Sequence, residues 1–328
     1  MTSEHSLNFR TNKIMQVINI FRFFLSILIV IGHTRYMGDS LFLQIIAKIM
    51  LVSVGYFFFL SGYGLSYSFA NKPLYDDKFL INKALSFISL TLPVYIFQAL
   101  IFFFLDIKPL STEPILDYLY SINWYLLELY FFYILFFILF KFYFKQIELL
   151  TWITCFSMII FLPLTDIPPQ YYFSCCGFAL GVSIYKHGDK LLSIRDDSII
   201  PYILVLVSGL LASMVGLSFP QRSIIAAIGK NIVVVSFCLF LFMVIRNNND
   251  TVINSKLLFY LNSISSGIYI YQFPIIKALR NYWDIHGIKY SFFSITVVVA
   301  TAIVASVDRV VKIGIITIYE KRYKTNID

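Results

Sequence analysis

The chain has 328 residues, of which 59% are hydrophobic, 18% aromatic and only 13% charged, and its mean hydropathy of +0.79 lies far above that of an ordinary soluble domain, so the composition describes an all-α polytopic membrane protein. The formal net charge of +8 points to loops held on the cytoplasmic side rather than to nucleic acid, because basic residues of membrane chains collect there.

Apolar runs of about 20 residues, the length that crosses a bilayer, lie near 14–33, 44–69, 82–105, 119–140, 148–163, 171–186, 199–217, 223–245, 257–279 and 290–307. They predict about ten transmembrane helices in a single integral membrane domain over residues 1–328, with no separate soluble domain. The first run is full length and ends in Gly32-His33-Thr34-Arg35 without a small-residue cleavage site, so it is expected to stay as the first span rather than leave as a signal peptide. Between the runs stand segments such as NKPLYDDK, DIKPLSTEP, PLTDIPPQ and RNNNDTVINSK, rich in the residues at which helices stop.

With the N-terminus inside, the inner segments hold Arg10, Lys13, Lys72, Lys78, Lys83, Lys141, Lys145, Lys186, Lys190, Arg195, Arg246, Lys256, Lys321, Arg322 and Lys324, and the outer ones chiefly Arg35, Lys108, Arg222 and Lys289. That bias predicts both termini in the cytoplasm. VVKIGIITIYEKRYK, after Asp308 and Arg309, is too short and too charged at its end for another span and is expected along the inner surface. Cys155, Cys175, Cys176 and Cys238 lie in or beside apolar runs without metal-ligand spacing, so packing is expected of them, with neither a disulfide scaffold nor zinc.

Ionisable groups inside a bilayer are costly and mark cavities or pathways. Arg22 and His33 are eleven residues apart, which on a helix leaves them within about 20° of one face and roughly 16 Å apart along the axis. The arginine belongs near mid-membrane and the histidine toward the outer end, where imidazole is suited to accept a proton. Glu128, one turn after Trp124, is expected to pair with Arg22 or to orient His33. In the second run, Gly55, Ser61, Gly62 and Gly64 form a small-residue notch in a wall of aromatics, fit for close helix packing or for a slender ligand. Pro274 should bend the ninth helix beside Tyr271 and Gln272 and leave a carbonyl unpaired.

Together these stretches resemble acyltransferase family 3, integral membrane enzymes that modify cell-surface polysaccharides and other exported substrates. Arg22 and His33 match the family's Arg, ten residues, His pattern. YFFFLSGYGLS is similar to its Phe-Phe-x-x-Ser-Gly-Phe segment, NWYLLELYFFY to its Trp-x-x-x-Glu stretch, and ISSGIYIYQFPI to its Ser-Tyr-x-x-Tyr-Leu-x-His-x-Pro signature. The chain departs from the pattern twice: Gln272 stands where the late motif usually has histidine, and Lys78 and Lys83 before Pro93 replace a run of arginines. Lysine attracts a phosphate as a point charge but lacks arginine's fork.

The resemblance implies transfer of an acetyl or other acyl group from cytoplasmic acetyl-CoA to a hydroxyl of a cell-surface or lipid-linked glycan, at the cytoplasmic membrane. It implies His33, Arg22 and Glu128 as the catalytic set, Lys78, Lys83, Ser61 and Gly62 toward the donor, and Trp124, Tyr271 and Gln272 toward the acceptor. No metal and no bound cofactor are implied. A transporter or flippase is the alternative, since buried charges and a proline-bent helix also suit alternating access. A polysaccharide polymerase, the third reading, is expected to devote a large outer loop to glycan, and the outer loops here are short.

Overall fold

The computed structural model describes residues 21–34, 41–71, 78–107, 124–193, 200–247 and 256–324. Lipid offers no partner for a peptide group, so a chain this apolar satisfies its backbone by helix formation. The described residues form ten α-helices and no strand: α1 (Phe21–His33), α2 (Leu41–Asn71), α3 (Phe79–Phe104), α4 (Trp124–Tyr143), α5 (Ile147–Phe161), α6 (Cys176–Ser193), α7 (Ile200–Leu217), α8 (Ile224–Asn247), α9 (Lys256–His286) and α10 (Phe293–Lys324). Each overlaps one expected run. Five apolar stretches, Met50–Asn71, Phe79–Phe104, Trp124–Leu164, Ile224–Met243 and Phe293–Gly314, are long and apolar enough to cross a membrane.

Two sequence expectations are corrected. The basic C-terminal segment is not a separate surface helix: α10 runs unbroken from Phe293 to Lys324, because no proline or cap interrupts its hydrogen bonding. The sixth helix begins at Cys176, five residues later than expected, because Pro163, Pro168 and Pro169 give short 3-10 turns in place of helix. α9 keeps Pro274 in its interior and continues to His286.

Helix ends show their causes. The amide of Ile288 donates to the Trp283 carbonyl at 3.0 Å across Gly287, whose φ of +61° suits a residue without a Cβ. Asp106 takes the same left-handed conformation, φ +50°, after α3, and the Ile107 amide closes onto Phe102 at 2.9 Å.

The chain divides into two compact units, each built from non-contiguous segments. One holds α2 from Lys48, α3 as far as Phe87, and α4 to α8; the other holds α1, α3 from Ile88, α9 and α10.

In the first unit, residue pairings give the helix directions. Glu148 meets His187, Trp152 meets Ser183 and Cys155 meets Cys175, so α5 and α6 are antiparallel. Trp124 meets Tyr171 and Phe132 meets Phe178, so α4 runs parallel to α6. The nearly continuous helical stretch 124–164 is therefore two helices folded back on each other at the turn Phe144–Gln146. Glycines set the closest approaches: a Cβ on Gly62 would stand 2.2 Å from the Phe178 carbonyl oxygen, on Gly177 2.2 Å from that of Gly55, and on Gly181 2.2 Å from that of Phe59. Small residues let membrane helices touch backbone to backbone where the hydrophobic effect does not drive them together. Gly216 and Gly229 serve α7 and α8 in the same way.

The second unit packs mostly through rings. Phe97 meets Tyr271, Trp283 meets Phe293, and Arg309 lies 4.6 Å from the Tyr260 ring, while one glycine, Gly267, lets Ala305 approach α9. Phe103 and Phe104 are 80% and 77% exposed, which only a hydrocarbon surround makes favourable over so many apolar side chains.

Candidate functional site

The face of α1 that carries Arg22 and His33 is its buried face. Ser26 and Ile29 lie on the stripe between them and are fully buried, while Phe24 on the opposite side is 51% exposed. Arg22 and His33 themselves are half-buried. The Ser26 hydroxyl donates to the Arg22 carbonyl at 2.7 Å.

His33 is held by its own helix. Nδ1 lies 2.9 Å from the Ile29 carbonyl oxygen, and since a carbonyl only accepts, Nδ1 carries the proton; in the neutral ring the acceptor lone pair is then on Nε2. The orienting role that sequence reasoning gave to Glu128 is thus filled at Nδ1 by a backbone carbonyl. The Phe273 ring of α9 stands edge-on to the imidazole, centroids 4.6 Å apart. Beside it, Thr34 and Ser294 share a 2.6 Å hydroxyl hydrogen bond that ties the end of α1 to the start of α10.

On α9 the run from Ile268 to Gln272 is buried. Tyr271 packs edge-on against Phe97 of α3, 5.4 Å between centroids. Gln272 is completely buried, and neither end of its amide has a hydrogen-bond partner. The second unit thus gathers His33, Tyr271 and Gln272, all named from the sequence, on helices that touch.

The remaining expected residues lie in the first unit. Glu128 is buried on α4, and both its oxygens lack a hydrogen-bond partner. The α4 and α6 pairings place Ser174, whose buried hydroxyl also lacks one, at its level. Glu128 belongs to a different unit from Arg22 and His33. Trp124 is half-buried at the head of α4, against Tyr171. Ser61 donates to the Phe57 carbonyl at 2.9 Å, and Gly62 is taken up by packing against α6, so the notch of α2 is a helix contact. Lys83 lies 4.7 Å from the centroid of Tyr133 and 5.7 Å from that of Phe79, a cation held on ring faces, while Lys78 is exposed just before α3.

Sequence reasoning passed over two uncharged amides within the spans, Asn231 and Gln98. Asn231 on α8 accepts from the Cys176 amide at 3.1 Å and donates to the carbonyls of Tyr172 and Ala227 at 2.7 and 3.0 Å. Gln98 on α3 has a buried Oε1 without a partner. The rule that singled out Arg22 and His33, a polar side chain in an apolar run, finds both once it is extended beyond charged residues. The four cysteines are buried and unbridged, and Glu148 ties α5 to α6 through His187 at 2.8 Å and Lys186 at 3.5 Å.

No match was found among curated proteins or solved structures. A family model described as an acyltransferase domain matches residues 15–307, nearly the whole chain and all four resembling stretches, and the chain is therefore a member of acyltransferase family 3, a membrane acyltransferase.

Proposed function

We propose that this protein transfers an acetyl group from cytoplasmic acetyl-CoA to a hydroxyl of a cell-surface or lipid-linked glycan, with His33 as the base. The observation that carries the reading is His33 on the buried face of α1, its Nδ1 proton given to Ile29 so that Nε2 is the accepting nitrogen. Nε2 takes the proton of the acceptor hydroxyl as that oxygen attacks the thioester carbonyl. The tetrahedral intermediate collapses, the carbon–sulfur bond breaks, and the proton passes to the departing thiolate. Direct transfer needs only this histidine; an acyl-imidazole formed on the same nitrogen is the variant of the scheme.

Arg22, about 16 Å deeper on the same face, meets the donor on its way. Exposed Lys78 and ring-seated Lys83 attract the phosphates of CoA at the inner surface, and both termini lie in the cytoplasm. Trp124, Tyr271 and Gln272 face the acceptor in this scheme, and Glu128 completes the catalytic set. Ten crossings of the cytoplasmic membrane, one for each helix, agree with the alternating directions found inside each unit.

The test is His33→Ala in cells whose surface glycan acetylation is read by NMR. Loss of the acetyl signal with normal protein level supports the assignment; normal acetylation removes it. Separately, the pair Lys78→Glu and Lys83→Glu is expected to weaken acetyl-CoA binding while leaving the acceptor's affinity in place.

A further inference from the structure

Resting on the reading that acyl transfer takes place at His33, we propose that Gln98 and Gln272 form one hydrogen-bonding level with that histidine. Each amide holds an uncharged group of a reactant, an amide or a hydroxyl, at the height of the imidazole.

The level follows from register. Phe97 meets Tyr271, and five residues further on α3 the Phe102 ring lies 4.8 Å from Nζ of Lys277, six residues further on α9. Both contacts advance together, so α3 and α9 run side by side in the same direction. Gln98 and Gln272, each the residue after the first contact, are therefore level with each other. Phe273, the next residue, is the ring against His33. Three helices thus bring an imidazole and two amides to one height within a single unit.

The amides have no use inside the protein. Both ends of Gln272 and Oε1 of Gln98 are buried without a hydrogen-bond partner, a state that folding does not favour and that a bound group relieves. Their chemistry selects the ligand. Gln98 asks for an N–H or O–H, and Gln272 for a group that gives and takes. Neither amide offers an anion a full charge. Two reactants carry such groups: the acyl donor, through the secondary amides of its pantetheine arm, and the acceptor, through sugar hydroxyls.

The experiment uses the full chain in lipid nanodiscs with Gln98→Leu, Gln272→Leu and both together. Thiol release is followed from acetyl-CoA and from S-ethyl thioacetate, which lacks the pantetheine arm, with methyl β-glucoside as acceptor probe. Each single change is expected to raise one KM about tenfold, the factor carried by one hydrogen bond, and the double variant at least as much. A rise for acetyl-CoA and not for the short thioester assigns the held group to the donor; a rise for the glucoside with either thioester assigns it to the acceptor. All KM values within twofold of wild type in the folded double variant overturn the proposal.

The variants are also expected to unfold no lower than wild type, since leucine replaces amides that hold nothing together. A marked fall in unfolding temperature would make the amides structural and overturn it as well. A wild-type protein that releases no thiol overturns acyl transfer alone. The amides are then judged by the upward shift in unfolding temperature given by CoA or the glucoside, expected in wild type and lost in the double variant; equal shifts in both sink the proposal.

Discussion

Asn231 and Gln272 are both buried primary amides in the middle of apolar helices, and they are used in opposite ways. Asn231, in the first unit, joins α8 to the chain that opens α6 with one accepted and two donated bonds to the backbone. Gln272, in the second unit, bonds to nothing in the protein. A buried amide left unpaired costs about 1–3 kcal/mol, so the first residue is a cross-link and the second a liability that stability alone does not explain. The same contrast runs through their surroundings. In the first unit glycines let α2 and α6 touch backbone to backbone, so close that a Cβ on Gly62 would stand 2.2 Å from the Phe178 carbonyl oxygen, whereas in the second α9 meets α3 and α1 through the rings of Phe97, Tyr271 and Phe273. The lesson is that the same functional group serves as a helix cross-link at Asn231 and is left without a protein partner at Gln272, next to the Phe273 ring that packs on His33.

The largest effect is expected from His33→Ala. With His33 as the proposed base, its removal is expected to lower kcat by roughly 100- to 10 000-fold, read as acetyl transfer to the glycan at normal protein level. Asn231→Leu should act on stability. It strands the Cys176 amide and the Tyr172 carbonyl in the core, for a loss of about 2–4 kcal/mol, measured by thermal unfolding in detergent. If Asn231→Leu and Gln272→Leu lower stability equally, the comparison between the two amides fails.

Gly62→Ala sharpens it from the side of packing. The added methyl meets the Phe178 carbonyl oxygen at 2.2 Å, and moving α6 away is expected to cost about 1–3 kcal/mol. Gly64→Ala, where a Cβ would meet nothing within 4 Å, is the control and should be near neutral. The smallest effect is expected at Glu148, whose oxygen sits 2.8 Å from His187 and 3.5 Å from Lys186 at half-exposed positions. Glu148→Gln should change stability by no more than about 1 kcal/mol, and a larger loss would show that this helix end, too, is a major tie of the first unit.

Much of the fold was legible because hydrocarbon thickness dictates helix length. The ten apolar runs each received a helix, and turn residues such as Pro163 in PLTDIPPQ marked where helices stop. The reading slipped where length was the wrong guide. Residues 310–324 are too few to span, yet they extend a helix that has already begun and so needs no new nucleus. Within the site, Arg22 and His33 were legible because their spacing lies inside one helix. Gln98 was not, because nothing local distinguishes a glutamine that has a partner from one that lacks it.

The sequence by itself determined that this is an apolar helical membrane protein, that guanidinium and imidazole share one side of its first helix, and which family pattern it carries. All of these depend on composition and on spacing along a single helix. Only the tertiary structure decided that the notch around Gly62 is a helix contact, that Ile29 holds the His33 proton, and that Asn231 is bonded where Gln272 is not. Bond satisfaction depends on which atoms of other helices or turns come within about 3 Å, and no periodicity in a chain carries that distance.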